Sequence, residues 1–248
     1  RSFQPSIDPV LEAAREILTE IAADGTAFID HGRARQIADE ACRRAGVDLP
    51  DRVRSNVAAM HVHRLHDITW RRTALQWAAR WAARTGRRLH LHGEGWSRDP
   101  EFRPFDRGPV SNETEARKAY RGARLALQLL PSGFAHQRSF EALASGTLVI
   151  TRESPNDFLL GDRHAFRRQY GDGDGAPSIH YRVGFRGLDE TAFADEAEFA
   201  ACCERWLGDD DARTARRDQL AAVVRSRCTW DAVLPRVLDG VRAAIALT

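Results

Sequence analysis

Residues 124–154 read RLALQLLPSGFAHQRSFEALASGTLVITRES. The run Leu125–Leu130 is short, apolar and closed by Pro131, the pattern of a strand buried on both faces. Ser132 and Gly133 open a turn-forming loop. The segment Arg138–Ala144 then repeats with helical spacing and stops at Ser145-Gly146. Thr147–Arg152 is a second, β-branched strand. Strand, helix and strand at this pitch form a right-handed βαβ unit, which places the two strands parallel. In an open parallel sheet, ligands bind beyond the carboxyl ends of the strands. His136 and Gln137 lie at such an end, where the helix begins. Its unpaired N–H groups and positive dipole end suit a pyrophosphate. Arg138 adds a planar cationic fork, and Glu141, one turn in, is placed to accept from paired hydroxyls.

The pattern extends in both directions. Toward the C-terminus, SIHYRVGF (residues 178–185) reads as a strand, followed by helices around 197–207, 212–227 and 230–245. Toward the N-terminus, RRLHLHG (residues 87–93) reads as a strand ending in glycine, with a brief second one at Pro109-Val110. Asn112 and Glu115 form a capping box for the helix that follows. The fold class is therefore α/β, with a parallel sheet flanked by helices. Before residue 87 the texture is helical throughout. Segments at 8–21, 33–44, 51–66 and 70–84 carry helical spacing, the first capped by Ser6 or Asp8. The expected division is a helical extension over residues 1–86 and the sheet-bearing lobe over 87–248.

Composition narrows the class. The 248 residues carry 37 basic and 35 acidic side chains, a formal net charge of +2. No global field draws such a chain to nucleic acid. Lys118 is the only lysine, so arginine supplies the positive charge. The cysteines Cys42, Cys202, Cys203 and Cys228 form no CxxC pair, which argues for reduced thiols and a cytoplasmic location. No apolar run approaches the roughly 20 residues of a membrane span. The first residue is Arg1, and RSFQPSIDP reads as mid-protein sequence, so a longer parent is expected.

The run RSFEALASGTLVITRES resembles the donor-binding segment of GT-B glycosyltransferases, particularly the CgeB-like and related group 1 families. LHLHGEGW resembles their glycine-bounded strand end with a Trp. WLGDDDARTARRDQLAAVVRSRCTWDAVLPRVL resembles their terminal helices. Together the three cover roughly residues 87–240 and keep the family's order. The resemblance implies one Rossmann-like lobe of a two-lobed enzyme that binds a UDP- or GDP-linked sugar and transfers the sugar to an acceptor of unknown kind. It gives Glu141 to the ribose, and Gln137, Arg138 and Ser139 to the diphosphate. Ser132, Gly133 and Phe134 would face the sugar, and His92, Gly93 and Gly95 would border the base or phosphate. Arg138 and His136 are the expected catalytic groups: Arg138, with the helix N-terminus, stabilises charge on the departing diphosphate, and His136 acts at the sugar or caps its loop. Many retaining relatives place a sugar-contacting glutamate where this chain has Gly133, so that contact is not carried over. The opposite lobe, with acceptor contacts and often a base, has no counterpart in residues 1–86, and a missing lobe or partner chain is implied. The competing reading is a non-catalytic binding or interaction module that keeps the lobe's fold.

Other motifs read more plainly. His90 and His92 share a strand face but have no third ligand at metal-binding spacing, and no metal or cofactor is expected. His61, His63 and His66 fall on a helix surface. Asp172-Gly-Asp174 sits among glycines, where a polar loop is expected. No Gly-x-Gly-x-x-Gly marks a dinucleotide site.

Overall fold

The computed structural model describes residues 6–23, 29, 31–111, 114–131, 133–154, 185 and 188–246. Helix α1 (Asp8–Ala23) turns Val10, Ala14, Ile17 and Leu18 to one side. Helix α2 (His31–Ala45) answers with Ala34, Ile37, Ala38 and Ala41. Small side chains at the crossing let the helices approach closely, and Leu49, Val57 and Val62 complete a separate core. Arg35 joins α2 to α3 (Asp51–Val57) by donating to Ser55 Oγ at 2.6 Å and Asp51 Oδ1 at 2.5 Å.

The two helices expected over 51–66 and 70–84 are one continuous rod. Helix α3 passes through a π-helical stretch, Ala58–Val62, into α4 (His63–Thr85). Between the expected helices lies Asp67-Ile68-Thr69, with no glycine or proline to interrupt the backbone ladder. Gly86, at φ 68°, ends α4 in the left-handed conformation. The rod serves two cores. Ala58 and Val62 belong to the N-terminal helical core, whereas Ala74, Trp77, Ala78, Trp81 and Ala82 belong to the core of the sheet.

That sheet is three-stranded and parallel, in the order β1 (Leu125–Gln128), β2 (Leu148–Arg152), β3 (Ala192–Phe193). Every residue of β2 is buried, as a central strand between two helical layers requires. Helix α5 (Glu115–Gly122) leads into β1, and α6 (Gln137–Ala144) crosses from β1 to β2. Helices α7 (Glu196–Gly208), α8 (Asp210–Arg227) and α9 (Trp230–Ala246) follow β3. Asp195 and Asp209 cap α7 and α8, each accepting a backbone N–H at 2.8 Å. The fold is thus α/β, Rossmann-like, with helices flanking a parallel sheet.

Two expected strands are missing among the described residues. In residues 87–92 only Leu91 is paired, by a parallel bridge to Asp106. Bonds from Leu91 N to Phe105 O and from Arg107 N to Leu91 O, each 2.9 Å, make that bridge. Pro109, lacking an N–H, cannot extend it, and Pro109-Val110 forms no strand. Asn112 of the expected capping box and the strand expected over 178–185, Phe185 excepted, lie outside the described residues. Glu115 accepts instead from Ser111 N at 2.7 Å, which holds its carboxyl below the usual carboxylate range.

Candidate functional site

The loop after β1 and the start of α6 are shaped by local bonds. Gly133, at φ 99°, adopts a conformation that glycine takes without strain. Its carbonyl accepts from the buried Gln128 Nε2 at 3.1 Å, tying the loop to the end of β1. His136 is the N-cap of α6, its extended backbone placing Nδ1 3.2 Å from Arg138 N, which donates to it. Burial, then the Arg138 cation beside it, push the imidazole below its ordinary value and keep it a neutral acceptor. Arg138 is exposed and makes no ion pair among the described residues. Ser139 is 2% exposed, and its Oγ has no hydrogen-bond partner among them. Gln137 Nε2 donates to Glu141 Oε1 at 2.6 Å.

This helix start borders a cleft of about 1090 Å³ between the free edge of β1 and residues 87–92, bounded also by α4, α5 and α7. Arg138, Ser139 and His92 line it. Arg87, Arg88 and Lys118 line it too; among the described residues they make no ion pair and no Asp or Glu is in the wall. Such a wall concentrates anions. Tyr120 is also in the wall. Burial raises its phenol, the Glu141 carboxylate raises it further, and Arg138 opposes both. Tyr120 therefore feels both charges of α6.

The expected site residues divide. Arg138, Ser139 and His92 reach the cleft, while His136, Gln137 and Glu141 stand beside its wall on the same helix start. Gly93 and Gly95 form the adjoining turn at φ 132° and 88°, and Gly93 N donates to Gly108 O at 3.0 Å. A Cβ on Gly93 would stand 3.2 Å from Trp96 Nε1, the group that donates to the His92 carbonyl. Phe134, expected to face the sugar, is instead fully buried, its ring 5.2 Å from that of Phe185. An aromatic following a tight glycine turn gains more from the core than from the loop's open side. Ser132 lies outside the described residues, as do Asp172 and Asp174. The His90 and His92 rings stand edge to face at 6.4 Å. No group of three or more His, Cys, Asp or Glu suited to a metal occurs among the described residues.

A family model described as glycosyl transferase-like matches residues 69–239. The chain belongs to this glycosyl transferase-like family. No curated protein and no solved structure gives a significant match. The matched domain begins within α4, between the stretch that packs with α1 and α2 and the stretch that packs under the sheet. Family membership carries a glycosyl-transfer role for the chain. Among the described residues, no helix is long and apolar enough to cross a membrane.

Sequence reasoning missed several cleft residues of this glycosyl transferase-like domain. Arg87, Arg88 and Lys118 carry no local pattern that separates them from solvated charges. Tyr120 had a signal: Ala116, Ala119 and Tyr120 fall at i, i+3 and i+4, one face of a short helix leading into β1.

Proposed function

We propose that the chain is the donor-binding, C-terminal lobe of a two-lobed, CgeB-like GT-B glycosyltransferase. Its substrate is a UDP- or GDP-linked sugar, and no metal or other cofactor takes part. One observation carries the reading. Among the described residues, the start of α6 joins a buried Ser139 Oγ without a partner and an Arg138 without an ion pair, on the wall of a cleft to which no acidic side chain contributes. A buried hydroxyl without a partner costs free energy unless a ligand supplies one.

The diphosphate sits at the start of α6 on the Gln137 amide, the Ser139 hydroxyl and the Arg138 guanidinium, because the Arg138 and Ser139 amides already donate to His136 Nδ1 and O; this set stabilises the charge gathering on the leaving oxygen. His136 fixes the first turn through Nδ1, so Nε2 is the nitrogen it offers the sugar or leaving group. Glu141 takes the ribose hydroxyls, and His92, Gly93 and Gly95 border the base or phosphate. Gly133 and Ser132 face the sugar. Residues 1–86 act as a helical extension whose last part, in α4, packs into the core of the lobe formed by 87–248. A second lobe or partner chain supplies acceptor contacts. The exposed stripe Trp230, Leu234, Val237, Val241 and Ile245 on α9 is a surface for it. The same stripe favours a second reading, an interaction module that keeps the lobe's fold without transfer. The setting is cytoplasmic, without nucleic acid.

Calorimetric titration with UDP, GDP and their sugar conjugates, beside Glu141→Ala, tests the donor site. Binding lost in the variant supports it, and absence of binding by the folded chain favours the interaction module.

A further inference from the structure

A second basic concavity lies at the other end of the sheet. It measures about 230 Å³ and is walled by the α5–β1 link, the start of β2 and one face of α8. Its side chains include Arg121, Arg124, Arg213 and Arg217, together with Thr214, and among the described residues no acidic one is in its wall. Arg124 also borders the large cleft. The pocket nevertheless opens where β1 and β2 begin, and the α6 start lies beyond where β1 ends. The length of β1 separates the two sites, on the order of 13 Å at strand rise.

The four guanidinium groups differ in how they are held. Arg213, with 13% of its side chain exposed, donates to Trp206 O at 2.9 Å and to Asp210 Oδ1 at 2.6 Å. Arg217 stands one turn further along the same face of α8. It donates to Asp218 Oδ1 at 2.9 Å and reaches Gly146 O at 3.5 Å. Arg124 has only a 3.7 Å approach to the Asp210 already used by Arg213. Arg121 makes no ion pair among the described residues. Asp210 and Asp218 are thus the counter-charges, and two cations remain in excess (four guanidinium groups less two carboxylates). Arg213 and Arg217 are held in place, and the exposed Arg121 and Arg124 face the same pocket, where like charges repel unless an anion lies between them.

We propose that this pocket is a binding site for a phosphate dianion, separate from the donor cleft. Guanidinium groups present paired donors that match phosphate oxygens, and Arg213 and Arg217 are already oriented by backbone carbonyls. The Thr214 hydroxyl adds a neutral donor. The volume falls below the roughly 300–1,000 Å³ of drug-sized ligand sites. It suits inorganic phosphate or the phosphate of a small ester or lipid headgroup, and excludes a whole nucleotide.

The test titrates the full chain with inorganic phosphate at fixed ionic strength, by calorimetry and by NMR of the arginine side chains. The variant is Arg121→Glu with Arg124→Glu, at exposed positions that bond no backbone carbonyl among the described residues; Thr214→Val is a second, uncharged probe. The control is Arg138→Ala, which damages only the α6 site. Saturable one-site binding that falls about tenfold or more in the double variant, and survives in the control, is expected. Shifts confined to the Arg121, Arg124, Arg213 and Arg217 resonances would support it even if the double variant unfolds. No saturable binding overturns the proposal, as does binding lost in Arg138→Ala and kept in the double variant. Cosedimentation with phosphatidylcholine vesicles containing phosphatidic acid separates the sources. Vesicle binding competed by phosphate names a headgroup, and phosphate binding without vesicle binding names a free phosphate. Because the probe is phosphate and the reporter lies away from α6, failure here leaves the donor-site reading standing, and the reverse holds too.

Discussion

The guanidinium carbon of Arg152 lies 3.2 Å from the centre of the Trp70 ring, and its Nη1 donates to the Trp70 carbonyl at 2.6 Å. The Trp77 ring lies 4.4 Å away, so the cation sits between two indoles. Its Nη2 donates to Ala22 O at 2.9 Å, satisfying one of the last carbonyls of α1. Arg152 is fully buried at the end of β2, and burial pushes its guanidinium down to about 9, which leaves it cationic at neutral pH. One side chain of the sheet thereby joins α1 and α4.

Arg152→Met removes the charged donor but keeps most of the volume. The Ala22 carbonyl is then buried without a partner, and the stacking on two indoles is lost. A loss of about 3 kcal/mol in unfolding free energy is expected from urea titration. Arg152→Lys should lose nearly as much, because a compact ammonium neither lies flat between indoles nor reaches both carbonyls. A loss below about 1 kcal/mol in either variant would show that the contact does not hold the two parts together.

The βαβ core and the closing helices were legible because their signals are local: an apolar run, a capped start, a glycine stop. The start of α6 fell at His136–Gln137, where the pattern placed it, because the cap is made within three residues. The joint between Arg152 and Trp70 was not legible, since it spans 82 positions and an arginine in a strand reads as exposed. The continuity of α3 and α4 was missed because two apolar patterns met out of phase. The change from one core to the other falls between Leu65 and Ala74, past the π-helical stretch, where no glycine or proline breaks the ladder. Phe134 was misplaced because the loop's chemistry was read without the core that Phe140 and Phe185 supply beneath it.

Thiol reactivity should follow burial. Desolvation pushes Cys202 up to about 11 and Cys203 up to about 12, and raises the half-buried Cys228 as well. Thiolate is the reactive form, so the folded chain should react slowly with an aromatic disulfide at neutral pH. Cys228 is expected first, with Cys202 and Cys203 released only by denaturant. Labelling followed by peptide mass spectrometry gives the order. Early labelling of Cys203 would contradict its place in the core.

Acid should loosen the site through His136. Its folded-state value lies below the ordinary 6.5, because burial and Arg138 disfavour the cation. As pH falls, the unfolded chain takes up this proton first, so stability declines as pH drops through 6.5 and the folded-state value below it. Protonation also fills Nδ1 and ends the cap on Arg138 N. His90, likewise held low, adds a decline of the same sign. His136→Asn caps without titrating. Urea midpoints compared between about pH 8 and about pH 5 should therefore fall less in this variant than in the parent. An equal fall in both would assign the acid sensitivity to His90 or elsewhere.

Ser139→Ala separates a site from a structural role. A serine that holds the helix would, on losing its hydroxyl, cost the fold about 1 kcal/mol, the worth of an ordinary buried hydrogen bond. Here the Oγ has no partner to lose among the described residues, and alanine relieves a desolvated polar atom at the same volume. Unfolding free energy should therefore stay level or rise. If the hydroxyl waits for a diphosphate oxygen, nucleotide-diphosphate affinity should drop about tenfold in that same protein, the equivalent of one charge-assisted hydrogen bond. The two readings move stability and affinity in opposite directions, so urea unfolding and calorimetry on one variant decide between them. A variant that is less stable yet binds as before makes Ser139 a packing residue and takes away the observation on which the donor site rests.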